Sequence, residues 1–203
     1  MRNRAEKIME AARPVFLEQF HKSSQETVLF CEQHSREVAG SFLDAFYGAV
    51  NHASLLQAGQ KKNKIKYLQF SHLYSSVFSE QYLVRIDVMD ERFYSDPSET
   101  ESYWNADCIY RLFGEDIRQI RKRLEWQVPR MKEYEADYLR YAYAPLYHSL
   151  LKAFLKSMLE ALTENPGSWK KEESWEDNAR ILFGEYMGQA DVLFTLSKGA
   201  AGK

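Results

Sequence analysis

Apolar residues recur at helical spacing along most of this chain, and the places where that spacing fails mark its middle. Over 3–20, Ile8, Ala11, Ala12, Val15 and Phe16 form one stripe, the pattern of an amphipathic helix. Pro14 lies inside the stripe, and its missing N–H predicts a kink or a break into two shorter helices. Ser23 and Ser24 read as an N-cap pair for a longer helix. In it Val28, Cys31, Val38, Phe42, Ala45, Phe46, Ala49, Ala53 and Leu56 recur at steps of mostly three and four. Gly59 and the lysines at Lys61, Lys62, Lys64 and Lys66 signal a turn.

From 65 to 90 the period shortens. Tyr82, Val84, Ile86 and Val88 alternate with Leu83, Arg85, Asp87 and Met89, a period of two that places one face of a strand in the core. The preceding stretch, 65–78, is rich in Tyr, Phe, Leu and Ser, and Ser79, Glu80 and Gln81 can turn it back to make a β-hairpin. A helical reading of 65–78 is also open, since Ile65, Leu68, His72 and Ser76 fall on one side of a helix.

The segment 96–101 has no apolar residue and contains Pro97, which marks a loop. Ser98 with Glu101 fits a capping box for a helix over about 99–113 presenting Tyr103, Trp104, Ile109, Tyr110 and Phe113, with a stripe continuing to Val128. The longest periodic tract, 130–162, aligns Leu139, Tyr143, Leu146, Leu150, Phe154, Met158 and Leu162, with a bend expected at Pro145. The Asn-Pro-Gly-Ser cluster at 165–168 stops it. A last amphipathic segment over about 175–197 carries Ala179, Leu182, Phe183, Tyr186, Met187, Ala190, Leu193 and Phe194. The tail at 198–203 reads as frayed and disordered.

These elements predict a mainly α (α+β) fold: a single helical domain, 1–203, with a small antiparallel β-hairpin inserted near 65–90. No repeat of fixed period and no Gly- or Ser-rich linker divides it. Composition agrees with one packed core. Of 203 residues, 45% are hydrophobic and 14% aromatic, which excludes a disordered or low-complexity chain. The start of the chain is charged, with no apolar signal core behind it, and no apolar run approaches the ~20 residues of a bilayer span. A cytoplasmic protein without membrane contact is expected, its Cys31 and Cys108 reduced and buried.

Net charge is −2 because opposed blocks cancel. The stretch 111–132 has seven basic residues against three acids, and 87–107 has seven acids against Arg92. Arg118, Arg121, Lys122 and Arg123 could form a nucleic-acid stripe. The balanced total favours a solvated face answered by the acidic segment, so nucleic acid is not the expected partner.

Signatures of chemistry are sparse. The chain has no Gly-x-Ser-x-Gly, no Walker loop, no Gly-x-Gly-x-x-Gly and no His-Glu-x-x-His. Glu18 and His21 supply half of a di-iron motif with no second half. Cys31 and His34 are spaced as two of the four ligands a structural zinc needs. No metal and no cofactor is expected. Tyr134, Tyr138, Tyr141, Tyr143 and Tyr147 put five tyrosines in fourteen positions, more than one helix face can bury. They suit a core, a pocket wall or a subunit interface. Arg85 and Asp87 share a strand face and must be paired or meet a ligand if that face is covered. The candidate ligand-binding residues are therefore Arg85, Asp87, His72, Tyr94, Trp104, Tyr138 and Tyr141, with catalytic residues unassigned. The reading that follows is a non-catalytic binding or regulatory protein. It acts through an aromatic-rich pocket or a homodimer interface, with a small molecule or a protein as partner. The alternative is an enzyme pairing His72 or a tyrosine with Asp87 or Asp90 in acid–base work.

Overall fold

Strand alternation at 84–88 seeds a sheet much larger than the hairpin it predicts. The structure, a computed structural model, describes residues 4–98, 100–164, 169 and 173–196. Strands β1 (Ile65–His72) and β2 (Leu83–Met89) pair antiparallel, with Gln69 opposite Asp87 and Ser71 opposite Arg85. Beyond them lie β3 (Ser102–Asn105), β4 (Trp175–Glu185) and β5 (Ala190–Leu196), in the order β3-β2-β1-β4-β5. β1 and β4 run parallel and the other pairs antiparallel. This mixed five-stranded sheet corrects the expectation of a helical domain with a lone hairpin: the fold is α+β. The expected tail at 198–203 and the stop cluster at 165–168 lie outside the described residues.

Two segments account for the correction. The stretch read as a helix over 175–197 is the β4–β5 hairpin. Its apolar set fits helical steps only because Ile181, Leu182 and Phe183 are buried on both faces of the sheet, which erases the alternation that betrays a strand. The chain turns so tightly after β4 that a Cβ on Gly184 would lie 2.1 Å from the Gln189 carbonyl oxygen. Trp104 and Tyr103, read on a helix, sit on β3. Helix begins only afterwards, in α4 (Asp107–Tyr110) and α5 (Phe113–Leu124), where the Asn105 side chain accepts from the Asp107 N–H at 2.9 Å. The short α3 (Ser76–Ser79) joins β1 to β2.

The helices are otherwise longer and differently divided than the pattern implies. Helix α1 (Arg4–Gln33) runs through Pro14, which is exposed, so water can serve the carbonyl left without its N–H donor. The chain breaks at His34, whose Nδ1 lies 2.9 Å from the Phe30 carbonyl oxygen, and α2 (Ser35–Ala58) follows. Ser23, read as a cap, is buried inside α1. Helix α6 (Glu133–Glu164) passes unbroken through Pro145, and its deepest row is Leu139, Tyr143, Tyr147, Leu151, Leu155 and Leu159. That row is turned slightly from the Leu146–Leu150–Phe154 line.

Helices α2 and α6 cover one face of the sheet. Trp104 on β3 stacks on Phe154 of α6 at 5.2 Å and meets Phe42 of α2 edge-on at 5.4 Å. One cluster of buried side chains draws on every helix and strand named above. The basic helix face is answered locally: Arg118 pairs with Glu115, Arg121 with Glu133 and Arg123 with Glu18. Its counter-charges are thus not the acidic segment, whose own carboxylates pair with Arg85, Arg92 and Lys62. Among the described residues no helix is long and apolar enough to cross a membrane.

Candidate functional site

The face of the sheet opposite α2 and α6 is where polar and aromatic side chains converge. Period-two geometry sends Leu68, Phe70, Val84, Ile86 and Val88 to the helices and Gln69, Ser71, Arg85 and Asp87 to this outer face. Those four would be solvated on a bare sheet, yet Gln69 and Ser71 are fully buried and Asp87 is 6% exposed.

Two short flaps cover them. The first is the 90–98 loop, with a single 3₁₀ turn at Phe93–Ser95. Phe93 packs on Tyr67 at 4.9 Å, and the Tyr94 hydroxyl accepts from Gln69 Nε2 at 2.7 Å. The second is the β4–β5 turn. Its Tyr186 ring lies 4.5 Å from the Arg85 guanidinium, a cation–π contact. The flaps meet where the Met187 N–H donates to the Tyr94 hydroxyl at 3.1 Å. Phe93 (φ 55°) and Met187 (φ 57°) both hold left-handed backbone, a strained state for side chains of this size that recurs at ligand clamps.

Beneath the flaps Arg85 is fully engaged. It reaches Asp87 with contacts of 2.8–2.9 Å, Glu101 at 2.8 Å and the Tyr103 hydroxyl at 3.3 Å. Burial works against its charge, but bonding to Asp87 outweighs that and raises its pKa above the ordinary value. Gln69 is not satisfied. Its Nε2 donates to Tyr94 and, at 3.1 Å, to Ser71 Oγ, while its Oε1 is buried without a partner. Turning the amide over moves the vacancy to the other atom and does not fill it.

The loop flap is anchored from below. Lys62, whose side chain is fully buried, pairs with Asp96 and donates to the Ser98 carbonyl oxygen at 3.0 Å. Burial opposes ionisation of Asp96, yet hydrogen bonds from Lys62, Ser98 and the backbone N–H groups of Ser98 and Asp90 bring its pKa down to about 2. Asp90, also fully buried, holds Arg92.

No known protein family, curated protein or solved structure matches this chain. The site is therefore read from its own chemistry.

Of the residues proposed from sequence, Arg85, Asp87 and Tyr94 come together under the flaps. His72 does not join them. It faces the helices, stacked on His148 of α6 at 3.8 Å, so the sheet separates it from Asp87. Trp104 is core, and its indole N–H donates to Ser41 Oγ at 3.1 Å. Tyr141 stacks on Tyr74 at 4.3 Å, and Tyr138 is 46% exposed on α6. Gln69, Ser71 and Tyr186 were not proposed from sequence. Alternation around Leu68 and Phe70 could have given the first two, but nothing local marks Tyr186. Neither metal fragment gains ligands: Glu18 pairs with Arg123, His34 stacks on Phe30, and the described residues hold no metal-ligating group of three or more.

Proposed function

We propose that the protein is a non-catalytic binding protein whose ligand enters between the two flaps. There it completes the hydrogen bonding of Gln69 beside Arg85, Asp87 and Tyr94. The observation that carries this reading is the buried, unpartnered end of the Gln69 amide. An unmet polar group at full burial costs about 1–3 kcal/mol, and here it lies behind a closure made by the Met187–Tyr94 hydrogen bond at an exposed turn and the edge-on contact of the Tyr94 and Tyr186 rings at 6.1 Å. The class of ligand that fits is a small polar molecule able to bond an amide, held against tyrosine rings. Arg85 is already neutralised by Asp87 and Glu101, so among the described residues the patch offers no free cation with which to select an anion. His72 and Asp87 lie on opposite faces of the sheet, which supports binding over acid–base catalysis by that pair.

A homodimer is the second reading. It is favoured by the apolar groove between α1 and α6, where Val28 and Leu29 are 45% and 53% exposed beside Phe20, Leu150 and Ala153. Native mass spectrometry of the protein as purified tests both. We expect two chains per particle and a bound small molecule that is lost in Gln69→Leu, while that variant keeps its thermal midpoint within a few degrees. A wild-type particle without adduct, together with no thermal shift from panels of amino acids, amines and nucleosides, sinks the binding reading. A single chain per particle sinks the dimer.

A further inference from the structure

Helix α1 carries a stripe of side chains that the fold of a single chain leaves in water. Arg13, Leu17, His21, Ser24, Val28 and Glu32 follow one another at steps of three and four, which places them on one face of the helix. All but the half-buried Ser24 are exposed, Leu17 at 64%. The order repeats every eleven residues, a spacing that keeps the stripe nearly straight along the helix axis. From Arg13 to Glu32 it runs for about 28 Å. Its second half, from Ser24 to Glu32, forms one wall of a groove of about 540 Å³, and Ser149, Leu150 and Ala153 of α6 form the other.

Along this face the chemistry runs cation, apolar, polar, polar, apolar, anion, a series that is its own complement when reversed. A second copy of α1 laid antiparallel, with the two-fold axis between Lys22 and Ser23, sets Leu17 on the partner's Val28 and His21 on the partner's Ser24. Arg13 then meets the partner's Glu32, and symmetry makes each contact twice. Within one chain these end charges are unanswered. Among the described residues Arg13 and Glu32 have no ionic partner, whereas Glu18 of the same helix is held by Arg123.

We propose that a second copy of this chain docks on this face, α1 against α1 antiparallel, its apolar contacts flanked by an Arg13–Glu32 ion pair at each end. This interface rests on the homodimer reading and gives it a surface, an orientation and a register. The register is specified in both directions. A slip of one turn one way sets Arg13 on the partner's Val28 and Leu17 on the partner's Ser24. A slip the other way sets Leu17 on the partner's Glu32. Either leaves a charge without its partner, which is how polar positions fix the alignment of paired helices.

Two charge reversals in the intact protein test this, read by native mass spectrometry and sedimentation. In a homodimer of Arg13→Glu, glutamate faces glutamate at both ends, and in one of Glu32→Arg, arginine faces arginine. Each variant alone should dimerise roughly 10-fold or more weakly than wild type. Mixed in equal amounts, the two variants should pair with each other, since opposite charges then meet at both ends, and the particle should contain one chain of each mass. The variant reversed at both positions should regain the wild-type affinity. Both side chains are exposed, so the fold should survive, as circular dichroism will verify. A wild-type particle of one chain overturns this interface and the homodimer reading together. Two chains per particle with an affinity that neither reversal weakens, or a mixture with no preference for the mixed pair, overturns the interface alone and assigns the dimer to another surface.

Discussion

Asp116 is 1% exposed and accepts four hydrogen bonds. Ser23 and Gln19 of α1 donate to its Oδ1 at 2.6 and 2.8 Å, and the Tyr143 and Tyr147 hydroxyls of α6 donate to its Oδ2 at 2.7 Å each. It sits in the first turn of α5, where the helix dipole favours a negative charge. One carboxylate therefore ties three helices, and it explains how two of the five crowded tyrosines are buried with their polar tips satisfied. Burial first, then bonding to this carboxylate, pushes both phenols above their ordinary pKa. Asp116→Ala strands four donors, three of them buried, and should cost about 3–5 kcal/mol, read as a lower urea midpoint. Asp116→Asn, which keeps two lone pairs but turns donors toward donors, should lie between it and the wild type. A cost under about 1 kcal/mol for alanine would mean that water or a rearranged side chain replaces the carboxylate.

At the scale of elements, the loop flap depends on a lysine that looks like surface. Lys62 stands in a run that reads as a solvated turn, because its partner Asp96 is 34 positions away. The folded pKa of Asp96 is about 2, against about 3.9 in an unfolded chain. A depressed carboxyl pKa adds stability that is complete above about pH 4 and fades as the pH falls toward 2. Asp96→Asn should thus be less stable than wild type at neutral pH by about 1–3 kcal/mol, and the gap should close on acidification, as urea midpoints at several pH values will read. A gap independent of pH would assign the loss to shape and not to charge. The same distance in sequence explains what could be read beforehand and what could not. The β1–β2 hairpin was legible because Val84, Ile86 and Val88 alternate with Arg85 and Asp87, and that alternation also placed two residues of the site. Strand β4 was hidden by its burial on both faces, and its parallel pairing with β1 joins residues more than a hundred positions apart, such as Tyr67 and Arg180. With β4 hidden, Tyr186 and the second flap were hidden too. Gln69 was masked by the open choice between helix and strand over 65–78, and the break at His34 by apolar spacing that runs on across it.

On the scale of the whole molecule, the sheet and the helix layer are joined at a pair of stacked imidazoles, His72 of β1 and His148 of α6. The groups around them are mostly apolar or neutral. Tyr110 of α4 lies 6.3 Å from His148 and Phe183 of β4 5.8 Å from His72, while Tyr82, Ser76, Val77 and Val84 line a cavity of about 10 Å³ beside the pair. Glu185 is the acidic group that favours a charged His72, and it does not prevail: burial lowers the pKa of His72. Burial, reinforced by the neighbouring His72, lowers that of His148 to about 3. An unfolded histidine takes its proton near pH 6.5, so between pH 6.5 and 3 the unfolded chain binds more protons than the folded one. Stability must then fall as the pH falls. For His148 alone the loss between pH 7 and pH 5 should be about 2 kcal/mol. His148→Phe keeps a flat ring against His72 and removes that proton, so its urea midpoint should change less over the same interval. This window lies above that of Asp96, which separates the two effects in one titration. Identical pH dependence in wild type and His148→Phe would show that His148 is protonated without strain in the folded protein, and that acid loosens the joint between sheet and helices somewhere else.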